Sequence, residues 1–264
     1  MSAKQSLSGL RILLTNDDGI DSPGLKALER IAHSITPDVW VIAPDMEQSG
    51  KGFSVTFDSI LKIDEISPRK FTVSGTPSDC VYMAIGEILK DKLPDLVLSG
   101  INIGANIGDY IGMSGTVGAA FAAASRNIKA IALSQHYEKP QYPTKFPLID
   151  HFLPTIIKKL LSFTWPDRIC MNVNFPEAQV GEISGIKSAT QGKLDVVWKV
   201  HKKMDPIDRS YYWLQGVHTV SDGNEDSDVA LLEQKKAITI TALQNRHEFR
   251  ECSGKLEELF ASHV

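Results

Sequence analysis

Two adjacent carboxylates follow the first apolar run of the chain. In RILLTNDDGIDSPG (11–24), Asn16, Asp17, Asp18 and Gly19 come directly after a continuous apolar segment, which predicts a buried strand. Successive side chains on a strand point to opposite faces, so two carboxylates converge only if the chain leaves the strand there, and Gly19 permits that bend. Two like charges held close repel, and a cation is the usual way for both to stay ionised. The turn therefore predicts half of a metal site.

A glycine-rich segment, LSGINIGANIGDYIGMSGTVGAA (98–120), is the second unusual stretch. It holds six glycines between Gly100 and Gly118, and a helix is predicted to begin near Ser114 to Thr116. Glycines let backbone N–H groups approach an anion, and the positive end of the helix would point at it. The segment therefore predicts a phosphate cradle, with a flexible surface loop as the weaker alternative. Ser49 and Gly50, in the loop after the second strand, read as a turn when taken alone.

Strands and helices alternate around these stretches. Apolar runs predict strands at DVWVIAP (38–44), DLVLSG (95–100) and KAIALS (129–134), and helices are predicted between them. This alternation is typical of an α/β protein with a Rossmann-like, doubly wound, mostly parallel sheet in a three-layer αβα arrangement. Ligands of such sheets bind beyond the carboxyl ends of the strands, where the acidic turn and the glycine-rich segment fall.

The pattern changes near Gly192. DVVWKVHKKMDPIDRSYYWLQGV (195–217) is aromatic and interspersed with charges, which indicates a protruding hairpin, and a strand (237–243) and a terminal helix (254–264) follow. We expect a catalytic core over residues 1–190 and a C-terminal extension over residues 191–264. Exposed aromatic ribbons are common at subunit contacts, so the extension predicts a homodimer or homotetramer.

Composition excludes several classes of protein. A net charge of −4 gives no basic field for a polynucleotide. The three cysteines form no C-x-x-C pair, which favours reduced packing residues over a disulfide framework or a zinc cluster. We expect no membrane span and a cytoplasmic location, because neither a signal-peptide run nor a long apolar segment is present. Walker, Rossmann-fingerprint and complete nucleophile-elbow motifs are absent, and the seven histidines form no H-x-x-x-H pair.

Four blocks in order, ILLTNDDGIDSPG, APDMEQSG, GTPSDCV and LSGINIGANIGDYIGMSGTVGAA, make the chain similar to the SurE family of survival-protein 5′-nucleotidases. The resemblance covers residues 11 to about 175. It implies a metal-dependent phosphatase that hydrolyses nucleoside 5′- and 3′-monophosphates, in some members also polyphosphate, on a Rossmann-like core with an oligomerising C-terminal part.

The resemblance also implies roles for individual residues. It makes Asp17, Asp18, Ser49 and Asn102 the ligands of one divalent metal ion per subunit, and their oxygen donors favour Mg²⁺ or Mn²⁺ over Zn²⁺. The positions expected around the substrate phosphate are Asn106, Ser114, Gly115 and Thr116. Three positions depart from the family pattern: Phe53 and Tyr110 replace polar or acidic residues, and a Gly-aromatic pair is absent near Ala237.

These residues suggest a mechanism in which a water activated at the metal attacks phosphorus in line with the leaving ribose oxygen. Either Asp17 or Asp18 would be the general base, and the sequence does not distinguish them. Two alternatives remain open. One is a nucleotide-binding module without catalysis. The other is a haloacid-dehalogenase-like phosphatase, although its aspartates stand two apart, not adjacent as here.

Overall fold

The computed structural model describes residues 7–137, 143, 145–220 and 223–245. Its strands are β1 (Ile12–Thr15), β2 (Val39–Pro44), β3 (Ile63–Ser67), β4 (Lys70–Val73), β5 (Leu96–Ile103), β6 (Lys129–Gln135), β7 (Ile169–Phe175), β8 (Ile186–Ser188), β9 (Leu194–Met204), β10 (Ser210–Val220) and β11 (Ile238–Gln244). Its α-helices are α1 (Pro23–His33), α2 (Pro77–Met83), α3 (Gly115–Ser125) and α4 (Pro147–Ser162).

Nine of these strands form one sheet in the order β3-β4-β2-β1-β5-β6-β7-β11-β8. The six strands from β4 to β7 in that order are mutually parallel. At the edges, β3 pairs antiparallel with β4, and β11 pairs antiparallel with β7 and parallel with β8. The predicted mostly parallel α/β sheet is therefore confirmed. The sequence did not predict β3 and β8, which lie at the two edges and are short and largely exposed.

Helices cover both faces of the sheet. On β1, Ile12 and Leu14 pack with α1 and α4, whereas Leu13 points the other way and packs with α2 and α3. All three side chains are fully buried, and burying a side chain of this size contributes about 1.5–3 kcal/mol. These two cores fix the predicted three-layer αβα arrangement.

Local capping explains where two of the helices begin. Ser22 accepts a hydrogen bond from the backbone N–H of Leu25, and Pro23 takes the first helical position of α1. Thr76 and Asp79 form a reciprocal capping box at the start of α2. The helix α2 ends at Met83, and the chain continues as a π-helical turn, Ala84–Ile88.

The strands β9 and β10 form a separate two-stranded antiparallel ribbon, which agrees with the predicted hairpin. Several of its apolar side chains are exposed, among them Val200 at 62% and Leu214 at 69%. The strand predicted over residues 237–243 is β11, which pairs with β7 in the main sheet. The predicted terminal helix, 254–264, lies outside the described residues, and the boundary at residue 190 stays a prediction.

Cys80 and Cys170 are buried and unbridged in the described part of the chain, in agreement with the predicted packing role, and Cys252 lies outside it. Across the described ranges, no helix combines the length and apolarity that a membrane span requires.

Candidate functional site

The bend that follows β1, at the acidic turn, is stabilised by hydrogen bonds from the side chain of Asn16. Its amide nitrogen donates to the carbonyl oxygen of Gly19 at 2.8 Å and to the Ser22 hydroxyl at 2.7 Å. Gly19 has a φ of +89°, a conformation that favours glycine. The bend predicted at this position is therefore present, and Asn16 ties it to the N-cap of α1.

Asp17 is directed at the first turn of α3. Its Oδ1 accepts a hydrogen bond of 2.6 Å from the Thr116 hydroxyl, and the side chain is almost fully buried. A Cβ added to Gly115 would lie 2.8 Å from the Asp17 Cβ and 3.2 Å from the Cγ of Pro77, so Gly115 leaves the space that Asp17 fills. Burial raises the pKa of Asp17, and the hydrogen bonds from Thr116 oppose that shift in part.

Asp18 has an unpartnered oxygen. Its Oδ2 is buried and has no hydrogen-bond partner among the residues described. Burial, and then the nearby charges of Asp17 and Glu47, raise the pKa of Asp18 to about 7. A buried carboxylate oxygen without a partner is costly unless a proton or a cation compensates its charge. The acidic turn is thus suited to bind a cation.

The loop after β2 approaches the same turn. The backbone N–H of Gln48 donates to the carbonyl oxygen of Asp17 at 2.7 Å, which places Ser49 one residue from a direct contact with the acidic turn. The Ser49 hydroxyl donates to Oε1 of Glu47 at 2.9 Å. The sequence did not predict a role for Glu47, because a single carboxylate two positions before Ser49 is not distinctive.

Asn102 lies near the end of β5, the strand next to β1, in which Ser99 is the partner of Thr15. Its amide nitrogen donates to the carbonyl oxygen of Gly104 at 2.8 Å. This bond turns the nitrogen toward the glycine-rich loop and the amide oxygen away from that carbonyl. Asn102 is therefore held at the same edge of the sheet as the acidic turn.

Asn106 belongs to a second buried network. Its backbone N–H donates to the side-chain oxygen of Asn174, its side-chain nitrogen donates to the Ser134 hydroxyl, and its carbonyl oxygen accepts from the amides of Asn172 and Asn174. These contacts fix the glycine-rich loop to β6 and β7. Asn106, which was predicted to lie around the substrate phosphate, thus has its side-chain nitrogen bound to Ser134.

The N-terminus of α3 faces the acidic turn. Ser114 is its N-cap and accepts from the backbone N–H of Val117 at 3.1 Å. The loop after Ser49 packs on the same helix, because a Cβ on Gly118 would clash with the backbone of Gly52. The positive end of the helix therefore lies beside the Asp17 carboxylate, an arrangement that suits the binding of an anion together with a cation.

Two of the positions that depart from the family pattern, Phe53 and Tyr110, contact other aromatic side chains. Phe53 packs edge to face on Phe121 with ring centroids 6.2 Å apart, so it completes the hydrophobic core on the α3 side of the sheet. The Tyr110 hydroxyl lies 3.3 Å from Nδ1 of His218 on the ribbon. Tyr110 thus connects the glycine-rich loop to β10.

No group of three or more His, Cys, Asp or Glu side chains that could hold a metal ion occurs within the described ranges. The expected donor set contains only two carboxylates, Asp17 and Asp18, together with a hydroxyl and an amide. The unpartnered Asp18 oxygen and these hard oxygen donors fit a divalent cation such as Mg²⁺ or Mn²⁺.

Fold and site together define an α/β protein with an acidic turn opposite a helix N-terminus at the carboxyl edge of a parallel sheet. The family model described as survival protein SurE matches residues 12–197, and the chain belongs to this family. The resemblance seen in the four sequence blocks is confirmed.

Curated relatives and a solved structure extend over most of the chain. It is 43% identical to the 5′-nucleotidase SurE of Parvibaculum lavamentivorans, over 93% of this chain and 90% of that protein. It is 41% identical to the 5′-nucleotidase SurE of Paramagnetospirillum magneticum, over 96% of each. The SurE protein of Aquifex aeolicus superposes with a TM-score of 0.78 at 35% identity, over 94% of this chain and 99% of that one.

Proposed function

We propose that the chain is a 5′-nucleotidase that hydrolyses nucleoside 5′-monophosphates, and 3′-monophosphates as well, to nucleoside and phosphate with the aid of a divalent metal ion. The observation that carries the proposal is the unpartnered Oδ2 of Asp18, beside Asp17 and the N-terminus of α3. Relatives about 40% identical over most of the chain have the name 5′-nucleotidase SurE, which supports this enzyme class.

Asp17, Asp18, Ser49 and Asn102 would hold the metal ion, preferably Mg²⁺ or Mn²⁺. All four offer oxygen, and they come from the ends of β1 and β5 and from the loop after β2. When bound, the ion would polarise a phosphoryl oxygen and lower the pKa of a coordinated water.

The chain's own groups would act on the phosphate and on the proton. The backbone N–H groups of the first turn of α3, at Gly115 and Thr116, would be the donors to the equatorial phosphate oxygens, assisted by Ser114 and Asn106, and that of Thr116 also interacts with Asp17. The Thr116 hydroxyl is held by Asp17, so Thr116 would serve mainly to orient that carboxylate.

Asp18 is the better placed of the two carboxyls to receive the proton of the attacking water. Oδ2 of Asp18 has no protein partner among the described residues, which leaves it available to the attacking water. Asp17, by contrast, has one oxygen committed to the Thr116 hydroxyl. Asp17 is thus better suited to a fixed ligand role.

Phosphate release from AMP by the full chain tests the proposal. We expect no release in EDTA and restored release when Mn²⁺ is added in excess. A non-catalytic nucleotide-binding module would bind AMP without metal-restored release, and that result would overturn the proposal. A panel of nucleoside 5′- and 3′-monophosphates and polyphosphate, each with Mg²⁺ and Mn²⁺, defines the substrate and the preferred ion.

We further propose that the β9–β10 ribbon joins copies of the chain into a homodimer or homotetramer. Its support is the run of exposed apolar side chains on the ribbon, because soluble proteins rarely leave such contiguous surface uncovered.

A further inference from the structure

We propose that Glu47 is a positioning residue of the metal site, which orients the Ser49 hydroxyl toward the cation and adds a third negative charge beside Asp17 and Asp18. This inference rests on the proposed function, because it concerns the same cation. It concerns a residue that lies outside the expected ligand set. The support comes from three separate relationships of the Glu47 carboxylate.

The first relationship is a hydrogen bond. The Ser49 hydroxyl donates to Oε1 of Glu47 at 2.9 Å. A serine hydroxyl rotates freely unless a partner fixes its hydrogen, and it has one hydrogen and two lone pairs. When the hydrogen is directed at Glu47, both lone pairs point elsewhere and are available to a cation. Glu47 therefore converts a rotating hydroxyl into an oriented oxygen donor.

The second relationship is the position of the loop. The backbone N–H of Gln48, the residue between Glu47 and Ser49, donates to the Asp17 carbonyl oxygen at 2.7 Å. This bond holds the loop against the acidic turn, so the oriented Ser49 oxygen is kept close to that turn. If the loop were not held there, a fixed orientation of the hydroxyl would contribute little to the affinity for the cation.

The third relationship is charge. Glu47 lies next to Gln48, whose backbone N–H holds the loop against the acidic turn, so its carboxylate brings a third negative charge near Asp17 and Asp18. Like charges that repel one another in the free protein attract the same divalent cation, so a third carboxylate strengthens the field at the site. Because Glu47, Asp17 and Asp18 do not form a ligand cluster among the described residues, the effect of Glu47 acts through Ser49 and through space.

The direct test is to measure Mn²⁺ binding to the full chain without substrate, by isothermal titration calorimetry or by the EPR signal of the free ion. Loss of a partner that orients a metal ligand typically weakens affinity about 10–100-fold. We expect a loss of this size for Glu47→Ala. Glu47→Gln retains an acceptor for the Ser49 hydroxyl and loses only the charge, so its affinity should fall between those of the wild type and Glu47→Ala. Glu65→Gln, an exposed carboxylate on β3, is the matched control and should bind as the wild type.

A double-mutant cycle with Ser49→Ala separates orientation from charge. If Glu47 acts through Ser49, the loss caused by Glu47→Ala in the Ser49→Ala background should be smaller than in the wild type. Mn²⁺ binding by Glu47→Ala with wild-type affinity would overturn the inference and leave the nucleotidase proposal standing. A wild-type chain that neither binds Mn²⁺ nor releases phosphate would overturn both. Circular dichroism of each variant checks that the exposed substitution leaves the fold intact.

Discussion

The Thr116 hydroxyl donates to Asp17 Oδ1 at 2.6 Å, although the two residues lie 99 positions apart in the chain. This bond joins the end of β1 to the first turn of α3 in a buried environment. The residue that reads in sequence as a phosphate contact is thus also the partner that holds a buried carboxylate, and several predictions depend on that geometry.

Thr116→Val should destabilise the protein. Valine has nearly the shape of threonine but lacks the hydroxyl, so Asp17 would lose a partner while it stays buried. Leaving a buried polar group unsatisfied costs about 1–3 kcal/mol. Urea unfolding in EDTA measures this loss. Thr116→Ser keeps the hydroxyl and is the matched control. Equal free energies of unfolding for the valine and serine variants would show that the hydrogen bond contributes nothing.

Gly115→Ala should displace Asp17 and reduce phosphate release. The added Cβ would lie 2.8 Å from the Asp17 Cβ, closer than real Cβ atoms approach, and 3.0 Å from its Oδ2, a tight contact. A misplacement near 1 Å costs up to about a hundredfold in rate. Gly112→Ala is the matched control in the same loop, because a Cβ there meets nothing within 4 Å. Steady-state phosphate release with AMP and Mn²⁺ compares the two, and similar losses in both would contradict the role of Gly115.

Asp18→Asn should abolish phosphate release while the protein remains folded. The substitution removes a charge expected to hold the cation and to accept the proton, and such electrostatic contributions amount to several kcal/mol, or at least about a hundredfold in rate. Asp21→Asn alters an exposed carboxylate three positions further on and should retain full activity. Turnover of a chromogenic phosphomonoester by well-folded Asp18→Asn would disprove the assignment.

Stability without metal should fall as the pH rises. The pKa of Asp18 in the folded protein is about 7, above its ordinary value of 3.8, so the folded state favours the protonated carboxyl. Its contribution to stability is complete below about pH 4 and is lost as the pH rises through 7, with a slope of up to about 1.4 kcal/mol per pH unit. Asp18→Asn should flatten this dependence.

Urea unfolding in EDTA at several pH values measures that slope. Adding Mn²⁺ should stabilise the wild type more at pH 8 than at pH 6, because fewer protons then compete for Asp18. A free energy of unfolding with the same pH dependence in the wild type and in Asp18→Asn would contradict the shifted pKa.

Local patterns in the sequence predicted the sheet, the bend at Gly19 and the N-terminus of α3, because apolar runs, caps and glycines act over a few residues. Contacts between distant segments were not predictable in this way. The bond from Thr116 to Asp17 is one example, and the contact of Glu47 with Ser49 is another, since a loop carboxylate reads as solvated. The network of Asn106 is a third example: Asn172 and Asn174 on β7 stand two positions apart, which places both on the face that holds Asn106.

The exposed ribbon predicts association in solution. Val200 and Leu214 are cross-strand partners near the middle of β9 and β10, and both side chains are more than half exposed. Covering this apolar surface with a second copy would stabilise the association by about 25 cal/mol for each Å² of apolar area buried. Leu214→Lys places a charge there and should shift the assembly to monomer. Multi-angle light scattering at micromolar concentration measures the mass, and Phe163→Lys, at an exposed apolar position beyond α4, should leave it unchanged. A wild-type chain of monomeric mass would refute the role of the ribbon.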